Sequence, residues 1–258
     1  MSTLKIGWLF PDTLFLHGER GNLLALKRFA GMAGFEAEVD KIDFHTENFV
    51  PDDYDILFCA PGEISSFTIV HDWLKPHTDE LKKFVESGKP LIVTGTSVAL
   101  FGKQIVRTDG SQIDGLGVIR IISTENEEVY GDDSYFKCSY NGQEMEIIGN
   151  QIQMNDIDLN GEQPFGRLLY GYGNTGKDRN EGVIKNNSIF TNTLGPMLVC
   201  DPWLTVEIIK VAADHRGDEI RNIEYDMELE KKSFDTKKGL IKTKESSLVN
   251  CRDTNGGN

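Results

Sequence analysis

Cysteine is scarce in this chain of 258 residues, which contains four, at positions 59, 138, 200 and 251. No two of them form a Cys-x-x-Cys pair, so the sequence predicts neither a zinc site nor a disulfide framework. The glycine-rich stretch 171–176 lacks the Lys-Ser/Thr that ends a phosphate-binding loop. We therefore expect no metal and no cofactor. Widely spaced single cysteines are typical of a reducing compartment, and we expect a cytoplasmic protein.

Basic residues and long apolar runs are also few. Lysine and arginine number 27 against 41 aspartates and glutamates, which gives a net charge of −14. Nucleic-acid surfaces need clustered cations, so we expect no nucleic-acid partner and no binding to anionic lipid. The longest apolar runs, such as 55–60 and 90–93, have the length of strands, so we expect no membrane insertion. The N-terminus has no basic and apolar signal pattern.

The sequence does contain a regular alternation of short apolar runs and amphipathic segments. The apolar runs predict strands at 4–10, 35–42, 54–59 and 91–94, of which 35–42 has the alternating pattern of an edge strand. The amphipathic segments predict helices at 22–34, 73–87 and 96–101. This order predicts an α/β domain with a mostly parallel central sheet and helices on both faces.

Beyond residue 117 the pattern changes to extended segments and turns. Strands are expected at 118–123, 134–140 and 144–153, and Asn141-Gly142 predicts a tight hairpin turn. The acidic stretch 125–133 predicts a solvated loop.

A last helix is expected at 203–213, after which apolar residues become rare. A highly charged segment cannot bury enough apolar surface to offset the entropy of ordering it. We therefore divide the chain into one domain at 1–222 and a flexible, charged tail at 223–258.

Three loops are candidates for the functional site. Ligands of open parallel sheets bind beyond the carboxyl ends of the strands. The loops that follow the predicted strands there are 10–12, 61–63 and 95–97.

Several segments resemble motifs of one enzyme family, the cobyric-acid-synthase-like class I glutamine amidotransferases. They are Leu-Phe-Pro-Asp at 9–12, His-Gly-Glu-Arg-Gly-Asn at 17–22, Asp-Tyr-Asp-Ile-Leu-Phe at 53–58, Gly-Tyr-Gly-Asn at 171–174 and Glu-Gly-Val at 181–183. In particular, residues 5–213 resemble the glutaminase subunits of lipid II isoglutaminyl synthases. The resemblance implies a flavodoxin-like three-layer sandwich and a Mur-ligase-like partner that amidates peptidoglycan precursors.

The resemblance also implies a catalytic cysteine and histidine, and this chain has neither. In active relatives a thiolate at a strand-to-helix elbow attacks the glutamine side-chain amide, and a histidine activates the thiol and protonates the leaving ammonia. The elbow corresponds to residues 93–102, where the cysteine position falls on Gly95, and the histidine position falls on Leu194. Glycine and leucine supply no nucleophile and no base, so we expect that no catalytic residue is retained.

The other parts of the implied site are changed as well. The oxyanion loop aligns with Ala-Pro-Gly-Glu-Ile at 60–64, and proline has no N–H to donate. The glutamine-binding arginine of the family should lie near 155–161, where no arginine occurs. The remaining candidates to line an altered pocket are Arg20, Pro61, Gly62, Glu63, Thr96 and Ser97.

The hydroxyls and thiol near the elbow have simpler interpretations than catalysis. Thr94, Thr96 and Ser97 have no base nearby in the sequence, and we interpret them as caps of the following helix. Cys59 ends an apolar strand, so we interpret it as a core residue. His71 and His77 have no cysteine or cluster of carboxylates near them in the sequence, so they do not predict a metal site.

Three functional hypotheses follow. The first is a catalytically inactive binding or regulatory subunit of a Mur-ligase-like enzyme. The second is an enzyme, either a glutaminase with a rearranged site or one that acts on another small ligand. The third is a sensor that binds glutamine or another amino acid through Glu63 and Arg20.

Overall fold

The strands and helices alternate through the first half of the chain as the sequence predicts. The computed structural model describes residues 2–220, 223 and 225–254, with side chains as far as residue 244. The strands are β1 (Thr3–Leu9), β2 (Glu36–Ile42), β3 (Ile56–Cys59), β4 (Leu91–Thr94), β5 (Gln104–Val106), β6 (Gln112–Asp114), β7 (Ile122–Tyr140), β8 (Gln143–Asp158), β9 (Gly166–Tyr170), β10 (Asn180–Glu181), β11 (Val183–Lys185), β12 (Ser188–Thr191) and β13 (Thr193–Leu194). The helices are α1 (Arg20–Ala33), α2 (Phe67–Leu74), α3 (Thr78–Glu86), α4 (Ser97–Phe101), α5 (Met197–Cys200), α6 (Pro202–Arg216) and α7 (Glu228–Thr254).

The central sheet has six strands in the order β11-β12-β4-β3-β1-β2. All neighbouring pairs are parallel except β11 with β12. The predicted α/β class with a mostly parallel sheet is therefore confirmed, and β2 is the edge strand that its alternating pattern indicates.

Helices cover both faces of this sheet. Side chains of a strand point alternately to its two faces, so each strand contributes to two cores. Ile6, Ile56, Phe58 and Ile92 pack against α1 and α6. Leu57, Cys59, Leu91 and Val93 pack against α2 and α3. Each fully buried side chain of this size stabilises the fold by about 1.5–3 kcal/mol relative to exposure.

The predicted helix at 73–87 is instead two helices, α2 and α3, joined by a 3-10 turn at Lys75–His77. Pro76 lies in this turn. Proline cannot donate the backbone hydrogen bond of a helix interior, and this explains the break.

A long hairpin of β7 and β8 forms the second sheet with β5, β6, β9, β10 and β13. The predicted turn is confirmed, because Asn141 and Gly142 have φ values of 50° and 72°, as both central residues of a type I′ turn require. The prediction of a solvated loop at 125–133 is wrong, since this stretch belongs to β7 and pairs with β8 across a bulge between Glu125 and Tyr130. The segment 118–121, predicted as extended, precedes β7 and is not a strand.

The region expected as a tail also differs from the prediction, because α7 lies against the hairpin. Ile241 of α7 is 1% exposed and packs against Tyr135 and Ile148. Charged contacts surround this small apolar contact: Lys238 binds Glu146, and Lys244 binds both Asp132 and Asp133. The described residues do not include 221 and 222 of the predicted domain, nor 224 and 255–258 of the predicted tail.

Two features are absent from the described part of the chain. None of its helices is long and apolar enough to cross a membrane. No three or more His, Cys, Asp or Glu side chains converge there as metal ligands would. His71 and His77 therefore belong to no such group in the described residues.

Candidate functional site

The site predicted from the sequence is built on the turn between β4 and α4. β4 ends at Thr94, Gly95 has a φ of 59°, and α4 begins at Ser97. Gly95 donates its N–H to Thr191 O at 2.8 Å, which ties the turn to β12. A sharp strand-to-helix elbow of this kind presents its central residue at the carboxyl edge of the sheet.

Gly95, Leu194 and Pro61 meet at this elbow. A Cβ added to Gly95 would lie 3.1 Å from Leu194 Cδ2 and 2.8 Å from Pro61 Cβ. The positions aligned with a cysteine and a histidine are therefore neighbours in space, but their side chains are a hydrogen and an isobutyl group. Pro61 fills the space that a side chain at position 95 would enter.

The hydroxyls of the elbow bind the neighbouring loop. Thr96 Oγ1 donates to Gly62 O at 2.5 Å and accepts from Gly62 N at 3.2 Å. Ser97 Oγ donates to Ala60 O at 2.7 Å. The expectation that Thr94, Thr96 and Ser97 cap α4 is wrong for Thr96 and Ser97. Thr96 occupies the N-cap without a side-chain capping bond, and Ser97 Oγ binds the neighbouring loop instead. Both hydroxyls hold the loop after β3 against the elbow, so neither is available as an activated nucleophile.

The loops after β1 and β3 also meet. Leu16 donates its N–H to Pro61 O at 3.0 Å. A Cβ at Gly62 would lie 2.2 Å from Leu14 Cδ2, so Leu14 packs directly over that glycine. The three candidate loops therefore come together, but they pack against one another.

A cavity of about 10 Å³ remains beside Gly95. Its walls include Thr96, Ser123, Asn155 and Asn192. A cavity needs roughly 10–15 Å³ to hold one water molecule. A glutamine side chain is several times larger than a water molecule and does not fit.

Polar atoms of this wall have no protein partner in the described part of the structure. They are Ser123 Oγ, Asn155 Nδ2, Asn155 Oδ1 and Asn192 Nδ2. Buried polar groups nearly always have a partner, and a water molecule in the cavity would provide one. No sequence motif indicates these three residues, because they come from separate strands and loops.

One hypothesis places Arg20 and Glu63 in a single site. In the structure the two residues lie in different surroundings. Arg20 borders a separate cleft with Trp8 and Lys41. Glu63 is exposed and accepts a hydrogen bond from Ser65 Oγ at 3.2 Å. The structure does not bring the two side chains into one pocket.

None of the three thiols whose side chains are described has an environment that favours the thiolate form. Cys59 is fully buried, and burial raises its pKa to about 12. This agrees with its interpretation as a core residue. Cys200 contacts the segment that carries Leu194, with Sγ 3.1 Å from Gly195 O. Partial burial and the neighbouring Asp201 raise its pKa, so the protonated thiol dominates at neutral pH.

Two buried glutamates hold the segment that carries Leu194. Glu19 accepts the N–H of Gly195 at 2.8 Å, and Glu181 accepts from Thr191 Oγ1 at 2.7 Å and from Thr193 N at 3.2 Å. Burial raises the pKa of each carboxyl to about 7. Both residues lie within the family-like segments 17–22 and 181–183, whose sequences alone indicate no role for them. Their role in the structure is to position the backbone at 191–195.

The chain is similar in sequence to two subunits of glutamine-hydrolyzing enzymes. The chain is 25% identical over 233 residues to the GatD subunit of the glutamine-hydrolyzing lipid II isoglutaminyl synthase of Staphylococcus aureus strain N315, covering 89% of this chain and 93% of the relative. It is 26% identical over 215 residues to the GatD subunit of Streptococcus pneumoniae strain ATCC BAA-255/R6, covering 81% and 80%. The resemblance predicted from the sequence is confirmed.

The comparisons with solved structures and with family models show less similarity than these two sequence relatives. A crystal structure of a glutamine amidotransferase matches with a TM-score of 0.48 and 20% identity, covering 81% of this chain and 98% of that chain. No family model matches the chain.

Proposed function

We propose that this protein is a glutamine amidotransferase-like subunit without glutaminase activity, which binds and regulates a Mur-ligase-like enzyme in the amidation of peptidoglycan precursors. The relatives are named as subunits of lipid II isoglutaminyl synthase, and they align with most of this chain. The proposal places it in the cytoplasm, where such precursors are made.

The observation that carries the proposal is the contact between Gly95 and Leu194. The reaction needs a nucleophile to form the acyl intermediate and a base to activate it. Glycine and leucine provide neither, although their positions adjoin as a nucleophile and base should. Loss of the nucleophile of such a pair lowers turnover by a factor on the order of a million.

The surroundings support the same conclusion. Pro61 cannot donate an N–H to an oxyanion, and its ring lies over Gly95. The adjacent cavity, of about 10 Å³, excludes glutamine. By contrast, the buried glutamates and the elbow hydroxyls form many hydrogen bonds that maintain the scaffold. A stable scaffold with a filled site suits a binding role better than a catalytic one.

The test uses the purified full chain and the Mur-ligase-like protein of the same genome. We expect a complex at micromolar concentrations in calorimetry and in size-exclusion chromatography with light scattering. An unrelated acidic protein of similar size is the control for nonspecific association. Absence of a complex at these concentrations contradicts the proposal.

The nitrogen source separates this proposal from an active glutaminase with a rearranged site. The complex should amidate its precursor when ammonium chloride is added and should fail with glutamine alone. Glutamine-dependent amidation that is lost on Cys59→Ala or Cys200→Ala would instead favour the rearranged site, since these substitutions remove the described thiols nearest the elbow.

A further inference from the structure

A cleft of about 750 Å³ lies beside the loop that follows β1 and the start of α1, away from the elbow. Its lining residues are Trp8, Pro11, Asp12, Phe15, Gly18, Arg20, Leu23, Leu24 and Lys41. The cleft is at the carboxyl ends of β1 and β2, where open sheets present their ligand sites. Its volume is in the range of roughly 300–1,000 Å³ that is typical of binding sites.

The rim of the cleft exposes two large apolar side chains. Leu24 is 62% exposed and Phe15 is 59% exposed, whereas Leu23, which also lines the cleft, is 5% exposed. Exposed apolar side chains that are grouped around a concavity mark interaction sites. Phenylalanine, tryptophan and arginine are also enriched where proteins bind one another.

The cleft is locally basic on an acidic protein. Arg20 and Lys41 are exposed, and neither forms an ion pair with a side chain in the described part of the chain. Lys41 Nζ lies 5.9 Å from the centroid of the Trp8 ring, which holds the ammonium group over the apolar floor. Asp12 is the one carboxylate in the lining set given above. With a net charge of −14, the rest of the protein repels anions, so this cleft is a favoured place for them.

The loop that forms one wall is held in place. Phe10 and His17 flank it with φ values of 49° and 59°, which non-glycine residues seldom adopt. Phe10 is buried and its ring packs 5.2 Å from that of Trp73. Leu14 donates its N–H to Phe10 O at 2.7 Å. A fixed wall lowers the entropy cost of binding, because the loop need not be ordered by its ligand.

We propose that this cleft receives an acidic segment of the partner subunit, with an apolar side chain between Phe15 and Leu24 and a carboxylate at Arg20 and Lys41. The inference rests on the proposed function, since it names the surface through which the subunit binds. A second copy of this chain is disfavoured as the occupant because two whole chains that each carry a net charge of −14 repel one another.

The experiment measures the dissociation constant of the full chain and the Mur-ligase-like protein of the same genome by isothermal titration calorimetry. The variants are Arg20→Glu with Lys41→Glu, and Phe15→Ala with Leu24→Ala. The matched controls are Lys75→Glu with Lys83→Glu, two exposed cations of the α2–α3 face, and Ile69→Ala, which removes a side chain that is 58% exposed. All substitutions are at exposed positions, and thermal melting verifies the fold.

We expect each cleft variant to weaken binding about tenfold or more, and each control to change it less than about twofold. Normal binding by the wild type with equal effects in cleft and control variants overturns this inference and leaves the proposed function intact. No binding by the wild type overturns the proposed function and this inference with it. Wild-type self-association that the cleft variants abolish assigns the cleft to a second copy and also overturns the inference.

Discussion

A Cβ at Gly95 would lie 3.1 Å from Leu194 Cδ2, so two residues almost a hundred positions apart face one another at the elbow. Their separation suits a nucleophile and its base, and the hydrogen bonds of Glu19 and Glu181 still hold the segment that brings Leu194 there. Under the proposed alignment, the backbone still brings these two positions together, whereas Gly95 and Leu194 carry no reactive group. This contrast leads to predictions about stability, reactivity and binding.

Restoring a side chain at the elbow should destabilise the protein. Gly95→Ala adds a Cβ that meets Pro61 Cβ at 2.8 Å, in addition to the strain of a positive φ. Gly117→Ala is the matched control, because its φ of 63° is similar and nothing lies within 4 Å of the added Cβ. We expect Gly117→Ala to lower the free energy of unfolding by about 1 kcal/mol and Gly95→Ala by about 1–3 kcal/mol more.

Urea unfolding of both variants measures this difference. Equal losses in the two variants would show that Pro61 yields to a side chain at position 95, and the elbow would then have room for a nucleophile.

The described thiols should differ in reactivity according to their burial. Cys59 and Cys138 are buried, and burial raises the pKa of the Cys59 thiol to about 12, whereas Cys200 is exposed. In a Cys251→Ser background, iodoacetamide should modify Cys200 in the native protein and leave the other two unmodified. Peptide mass spectrometry reads the sites, and unfolding in guanidinium should make all three react. Rapid native modification of Cys59 would contradict its place in the core.

Protonation of Glu181 should make stability depend on pH. Burial raises its pKa from 4.5 to about 7 in the folded protein. The unfolded state therefore loses this proton first, so its contribution to stability falls as the pH rises from about 4.5 to 7 and then stays level. Glu181→Gln keeps an oxygen acceptor for Thr191 and Thr193 and cannot ionise.

The comparison is the free energy of unfolding of wild type minus that of Glu181→Gln, measured from pH 4 to 8. We expect the difference to become less favourable to the wild type across that window. A difference that is constant with pH would mean that the carboxyl titrates alike in both states.

The attachment of α7 should depend on Ile241. This side chain is 1% exposed, whereas its neighbour Leu240 is 54% exposed. Ile241→Ala should therefore accelerate amide hydrogen exchange in α7 by about tenfold or more, while Leu240→Ala changes it less than about twofold. Exchange in β1 should be unaffected in both variants. Equal exchange rates in the two variants would show that the contact of Ile241 with Tyr135 does not stabilise the attachment of α7.

Local patterns predicted the first half of the fold better than the second. The alternation of apolar runs and amphipathic helices in residues 4–101 determined most of the parallel sheet, because each element there carries its own period. The acidic stretch 125–133 was misread because it becomes a strand only by pairing with β8. The helix α7 was missed because its stabilising contacts are a few lysines and one buried isoleucine, which composition cannot indicate.

The same limit applies to the site. The resemblance identified Gly95, Leu194 and Pro61, and the structure places their atoms together. It could not identify Ser123, Asn155 and Asn192, which share a cavity only after the chain has folded. The hypothesis that combined Arg20 with Glu63 in one site came from motifs and not from contacts, and the two residues lie in different surroundings.

Ammonia release from glutamine tests the central claim most directly. The purified chain, alone and with the Mur-ligase-like protein, is incubated with glutamine, and ammonia is measured by the reductive amination of 2-oxoglutarate, followed as oxidation of NADH. We predict a rate equal to that of buffer in both cases, unchanged by Cys59→Ala or Cys200→Ala. Release above the buffer rate that either substitution abolishes would contradict the account of an elbow without a nucleophile.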